Sequence, residues 1–167
     1  MTLDDRFSAL KPHDIIATIA SVDQRYRSAF RSHQGATADD LSDLRTANGS
    51  ILDEVATTVV ALATARTALT SAADGGFPEV PAAVLGLEPF PVVATEGTVD
   101  HHLRELGAEV ALLVATLKAI PRERWGRAAH ADDRIGHATI EQIGQQAARY
   151  AIAALHRIEV ATGDRPP

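Results

Sequence analysis

The chain contains no cysteine. That absence excludes disulfides, thiolate metal sites and a cysteine nucleophile together, and it fits a reducing cytosol. Aromatic residues are scarce, at 4% against 46% hydrophobic residues overall, so a core has to be assembled from Ala, Val, Leu and Ile. Side chains this small suit closely approaching helices better than a thick sheet sandwich. Basic runs with interleaved aromatics are missing, and the net charge is −6. Phosphate contacts supply most nucleic-acid affinity, so no nucleic-acid partner is expected. The opening stretch MTLDDRFSAL has no apolar h-region. The most apolar helix candidate, VALLVATL at 110–117, is far shorter than the ~20 residues of a membrane span. The expectation is a soluble cytoplasmic protein with no membrane partner.

Other absences concern chemistry. No run alternates at period two for long enough to argue a sheet. Gly75-Gly76 opens a Pro-rich stretch with no helix behind it, so there is no phosphate loop. No serine sits in an elbow context. Acidic residues are scattered singly, which leaves no carboxylate pair for acid–base work. No catalytic residue emerges from this reading, and no cofactor is implied.

Four long helical patterns are present. The first starts near Pro12, whose missing N–H is harmless in an opening turn, and Ile15, Ile19, Val22, Tyr26 and Phe30 recur at helical spacing until His33–Gly35. Thr37 with Asp40 reads as a short helix start, Asn48-Gly49 as a turn, and Ser50 as an N-cap. The second helix runs from Ile51 to about Ser71 on a stripe of Ile51, Val55, Val59, Leu62 and Leu69, despite the β-branched Thr57, Thr58, Thr64 and Thr67. From Asp74 to Gly97 four prolines and four glycines forbid a long helix. Phe77, Val80, Val84, Leu85, Leu87 and Phe90 make that stretch too apolar for a floppy linker, so it reads as an ordered crossover against the helices. The third helix spans about Thr98 to Ile120, with Leu103, Leu106, Val110, Leu113 and Leu117 inward. PRERW at 121–125 makes a tight turn, and residues 126–138 read as a loop. The fourth helix opens on Thr139-Ile-Glu-Gln142, a capping box, and carries Ile140, Ile143, Ala147, Tyr150, Ala154 and Ile158 on its inner face. The predicted fold is all-α: an up-down four-helix bundle in one domain over 1–167, core about 12–162, with a long Pro/Gly-rich crossover between the second and third long helices.

Two stretches carry a resemblance. LKAIPRERWGRAAHADDRIGHATIEQIGQQAARYAIAALHRIE, 117–159, resembles the fourth-helix region of the DinB-like superfamily: a Pro-x-x-x-Trp turn, a His- and Gly-containing loop, a Thr-led helix start and a closing Leu-x-x-Ile phrase. NGSILDEVATTVVAL, 48–62, is similar to that family's second-helix signature, and the Pro/Gly crossover falls at its long connection. The resemblance covers roughly residues 10–160. It implies a four-helix bundle with an unusual crossover. Members often bind a divalent metal through three histidines, and include mycothiol-dependent maleylpyruvate isomerase-like enzymes that use low-molecular-weight thiols. Here the three ligand positions fall on Thr58, Tyr150 and Ala154, and the tryptophan before Ser50 is Gly49. Zinc or nickel needs nitrogen or carboxylate ligands at about 2.0–2.2 Å; a threonine, a phenol and a methyl group do not supply them. The metal site is therefore read as degenerate, with no metal bound there.

The candidate substrate-binding residues are Glu54, Thr58, Tyr150 and Ala154, lining an apolar pocket. The expected function is a small-molecule-binding protein. The alternative is a thiol-dependent transferase or isomerase that works without this metal, or recruits one through His130 and His137 with Asp132 and Asp133 beside them. A blander option is a homodimer built on Ala-rich helix faces. His101 and His102 read as a solvated helix start, His13 and His33 as exposed helix ends, and His156 as a surface residue near a helix C-terminus.

Overall fold

A computed structural model describes residues 3–32, 51–76, 80–90, 93, 99–130 and 137–162. Five α-helices are found among the described residues: α1 (Leu3–Ser8), α2 (Pro12–Ser32), α3 (Ile51–Ala73), α4 (Val99–Ala119) and α5 (Ile140–Thr162). The described residues are predominantly helical, with a short antiparallel ribbon of β1 (Ala128–His130) and β2 (His137–Thr139). The four long helices start and stop within a few residues of the positions read from periodicity and turn chemistry. The ribbon corrects the loop reading of 126–138: three paired residues per strand are too few to register as an alternating pattern. The α1 helix was not foreseen either. Its six residues allow under two turns, and it is held by Phe7, buried against α5. The expected helix start at Thr37–Asp40, the Ser50 cap and the final tail lie outside the described residues.

Each boundary has a local cause. Pro12 opens α2, where its absent N–H costs nothing. At the end of α3, Gly75 takes φ +103°; its N–H donates to the Ala72 carbonyl, and that of Gly76 to the Ser71 carbonyl. This is the Schellman pattern, which needs a residue without a Cβ at the turn. The Thr139–Gln142 capping box forms reciprocally: the Thr139 N–H donates to Gln142 Oε1 at 2.8 Å, and the Gln142 N–H to Thr139 Oγ1 at 3.1 Å. The Trp125 carbonyl takes the Glu141 N–H, and its buried indole N–H donates to the Ile120 carbonyl at 3.3 Å, so the PRERW turn closes α4 and caps α5.

Packing fixes the relative directions. A Cβ on Gly144 would meet Ile15 and Leu117, so the start of α2, the end of α4 and the start of α5 converge. The Arg124 guanidinium donates to the Ala72 carbonyl, which brings the end of α3 to the same place. Hence α2 and α5 leave this end, while α3 and α4 arrive at it. Arg25–Glu159 links the later parts of α2 and α5, and Arg66–Glu109 links α3 with α4, as parallel pairs require. The extensive helix contacts are α2 with α4 and α5, and α3 with α4 and α5.

The core holds the inward residues read from the sequence: Ile15, Ile19 and Val22; Val55, Leu62 and Leu69; Leu106, Val110, Leu113 and Leu117; Ile140, Ile143 and Ala147. Val80, Ala82 and Val84 of the crossover are also buried, and a 3-10 turn at Ala82–Leu85 contacts α3 and α5. Residues 80–85 of the crossover thus pack as a wall on α3 and α5. One correction concerns apolarity. Among the described residues, Leu52–Ala73 within α3 is the helix long and apolar enough to cross a membrane by length and composition, not the shorter 110–117 stretch. Only 39% of that apolar window is buried, where it packs on α4, α5 and the 3-10 turn.

Candidate functional site

Among the described residues, the crossover leaves the seam between α3 and α5 open. Past the 3-10 turn, Gly86 adopts φ +74°, the chain swings outward through Pro89 and Phe90, and a groove of about 520 Å³ opens beneath it. On α5, Gln146 and Tyr150 sit one turn apart and face this groove; on α3, Glu54, Thr57, Thr58 and Ala61 form the opposite wall. Of the four residues singled out by sequence, the structure brings Glu54, Thr58 and Tyr150 to the groove. Ala154 is buried in the core and does not line it: one turn past Tyr150, the α5 face already meets packed side chains.

Most polar groups here are engaged. The Tyr150 hydroxyl donates to the Ala83 carbonyl at 2.6 Å, and its ring meets Phe90 edge-on, with centroids 5.9 Å apart and planes at 87°. That geometry suits the ring quadrupoles and makes a rigid apolar corner. The Thr58 hydroxyl donates to the Glu54 backbone carbonyl at 2.9 Å, so the Glu54–Thr58 pairing is a local helix bond. Thr57 Oγ1 accepts the Val93 N–H at 3.0 Å, tying the crossover to α3. The Glu54 carboxylate accepts from Arg157 Nε at 2.9 Å at the exposed rim.

Gln146 was missed. It is 8% exposed, and no hydrogen bond within the described residues engages its amide. A Cβ at Gly86 would lie 2.6 Å from its Nε2, so the amide lies over the glycine. The available signal was its position one turn before Tyr150 on the same helix face.

Thr58, Tyr150 and Ala154 do not fit a metal. Thr58 and Tyr150 direct their hydroxyl protons to carbonyls, and Ala154 has no donor atom. Among the described residues, no group of three His, Asp or Glu side chains gathers to hold an ion. His130 and His137 are cross-strand partners in the β1–β2 register; Asp132 and Asp133 lie outside the described residues. His101 is exposed, but His102 is buried, with its side chain 3% exposed and Nδ1 3.6 Å from Glu105. The solvated reading therefore fails for His102: adjacent helical residues point about 100° apart, so one faces water when the other faces the core. His13 and His156 are exposed as expected, and His33 lies outside the described residues.

A second hollow of about 490 Å³ lies by α1 and α2, near Phe7 and Arg25. Its Arg25 is already held by both oxygens of Glu159, at 3.1 and 2.7 Å, so its strongest charge is answered within the chain. No family model, curated protein or solved structure matches this chain.

Proposed function

We propose that the chain is a DinB-like four-helix bundle, its long helices running up, down, down and up, that binds a small molecule in the groove between α3, α5 and the crossover, without the family's three-histidine metal. The bundle reading is supported by the helix directions: α3 and α4 run the same way, so the crossover joining them has to travel the length of the helices, about 32–35 Å for 21–23 residues. The observation that carries the function is the groove itself. Its volume falls within the roughly 300–1,000 Å³ of small-molecule sites, its walls are largely apolar, and the Tyr150 and Thr58 hydroxyls are tied to backbone carbonyls. A preformed apolar corner with few open polar groups is a binding surface, whereas an acid–base or nucleophilic pair is not found there among the described residues. A cytoplasmic location fits the absence of cysteine.

A second reading keeps enzymatic chemistry: a thiol-dependent transferase or isomerase that recruits a metal through His130 and His137, whose backbone positions stand opposite each other across the ribbon. A third has the chain pairing with itself through exposed Ala108, Ala111, Leu112 and Ala115 on α4.

Thermal shift with aromatic and low-molecular-weight thiol probes, metal analysis after dialysis, and light scattering separate the three. Binding at 100 times Kd raises stability by about 2.7 kcal/mol. Stabilisation by a probe that is weakened in Tyr150→Phe supports the groove; stoichiometric zinc or nickel lost in His130→Ala supports the second reading; a dimer broken by Leu112→Glu, with no probe binding, supports the third.

A further inference from the structure

We infer that the shared outer face of α3 and α4 is where a second copy of this chain docks. Leu112 on α4 is 51% exposed and Val60 on α3 is 42% exposed. Neither is isolated. Between Glu105 and Lys118 every exposed residue of α4 is apolar: Ala108, Ala111, Leu112 and Ala115. Between Glu54 and Asp74 the exposed residues of α3 are Val60, Thr67 and Thr70. A helix face turned to water ordinarily carries charged side chains. These two carry none for about three turns or more, and only 39% of the apolar window in α3 is buried inside the chain.

The two stripes lie on neighbouring parallel helices. Arg66 of α3 binds Glu109 of α4 across their seam, so the charged pair there is neutral as a unit. The threonines are answered as well. The Thr67 hydroxyl donates to the Ala63 carbonyl at 2.9 Å, Thr70 to the Arg66 carbonyl at 2.8 Å and Thr116 to the Leu112 carbonyl at 2.9 Å. Removing water from this face therefore strands none of these donors. Charge and area point to a second copy as the occupant. A two-fold pair sets one patch against itself, which like charges oppose and an uncharged face permits. The helices are 23 and 21 residues long, about 32–35 Å, and each is about 10 Å across. Their joint face covers roughly 600–700 Å² on each copy. The pair then buries about 1,300 Å², within the roughly 1,200–2,000 Å² of stable complexes. Short side chains let helices of the two copies approach to about 8 Å. The surface is wider than the α4 stripe alone, and no residue of α4 lines the ligand groove. Pairing and ligand binding can thus each fail without the other.

Sedimentation equilibrium of the full chain from about 1 to 100 μM tests this, on the wild type, Val60→Glu, Leu112→Glu and Ala20→Glu. Ala20 is exposed on α2, away from the face. Lysine at positions 60 and 112 repeats the test with the opposite charge, and circular-dichroism melts check that each variant is folded. The wild type is expected to form a dimer. Val60→Glu and Leu112→Glu should each raise the dimer dissociation constant about 10-fold or more, because each places an unpaired charge in a drying contact. Ala20→Glu should stay within about twofold of the wild type. A monomer at every concentration overturns the inference, as does a dimer that neither variant weakens. Weakening by Leu112→Glu alone confines the contact to α4 and overturns the two-helix face. Flotation of a monomeric wild type with phosphatidylcholine–phosphatidylglycerol vesicles, lost in both glutamate variants, makes lipid the occupant and overturns the second copy.

Discussion

At the scale of single residues, Tyr150 joins two roles that separate on mutation. Its hydroxyl holds the Ala83 carbonyl at 2.6 Å, while its ring packs on Phe90. Tyr150→Phe keeps the ring and orphans a carbonyl. It is expected to cost about 1 kcal/mol, read as a melting point lower by about 2–4 °C for a chain of this size. Gly86→Ala acts on the same turn from the opposite side. It forces a Cβ into a positive-φ position and against the Gln146 amide, so a loss of roughly 1–3 kcal/mol is expected in urea denaturation. The amide, at the end of a flexible side chain, is displaced from the groove at the same time.

At the scale of elements, α3 and the start of α5 give predictions of opposite sign. The hydroxyls of Thr64, Thr67 and Thr70 donate to carbonyls four residues back, at 2.8–2.9 Å. These bonds satisfy the hydroxyls but do not offset the rotamer restriction of β-branched residues in a helix. Exposed Thr67 and Thr70 replaced by Ala should therefore stabilise the chain, by roughly 0.3–0.7 kcal/mol each on helix propensity. A fall in the urea midpoint would show instead that these threonines do something beyond filling helix positions. The capping box behaves conversely. Thr139→Ala leaves the Gln142 N–H without its side-chain acceptor, and about 1 kcal/mol of loss is expected, together with faster hydrogen exchange in the first turn of α5.

At the scale of the whole molecule, parallel neighbours need long connections, and ion pairs link them. Glu159 is nearly buried, its side chain 9% exposed, and receives both Arg25 donors, whereas Arg157 and Glu54 pair at a half-exposed rim. Removing one partner of a buried pair strands a charge, which is costly; exposed pairs contribute little. Arg25→Met should thus destabilise the chain more than Arg157→Met, which stays within about 1 kcal/mol of the wild type. Equal effects in matched urea titrations would mean that the α2–α5 link is not a desolvated one. The crossover is tested with them: buried Val84 replaced by Asp puts an unpaired charge under the wall, so limited proteolysis should cut near 84 before it cuts in the helices.

The sequence determined by itself what depends on near neighbours in the chain. Helix positions came from 3.6-residue periodicity. Their ends came from Pro12, Gly75 and the Thr139–Gln142 box, each acting within a turn of itself. The inward stripes and the burial of Val80 and Val84 in the crossover were readable for the same reason, because burial follows hydrophobic spacing. Glu54 and Thr58 were legible as one helix face from their i, i+4 spacing, and Tyr150 from its place on the inward stripe of the last helix. Only the tertiary structure decided what depends on residues distant along the chain. It set the parallel runs of α3 and α4, put His102 inside and left Ala154 in the core. It also brought Gly86 under Gln146 across sixty positions, and opened a groove there. Periodicity tells which face of a helix turns inward; which partner that face meets depends on three-dimensional packing, and the groove is a property of that meeting.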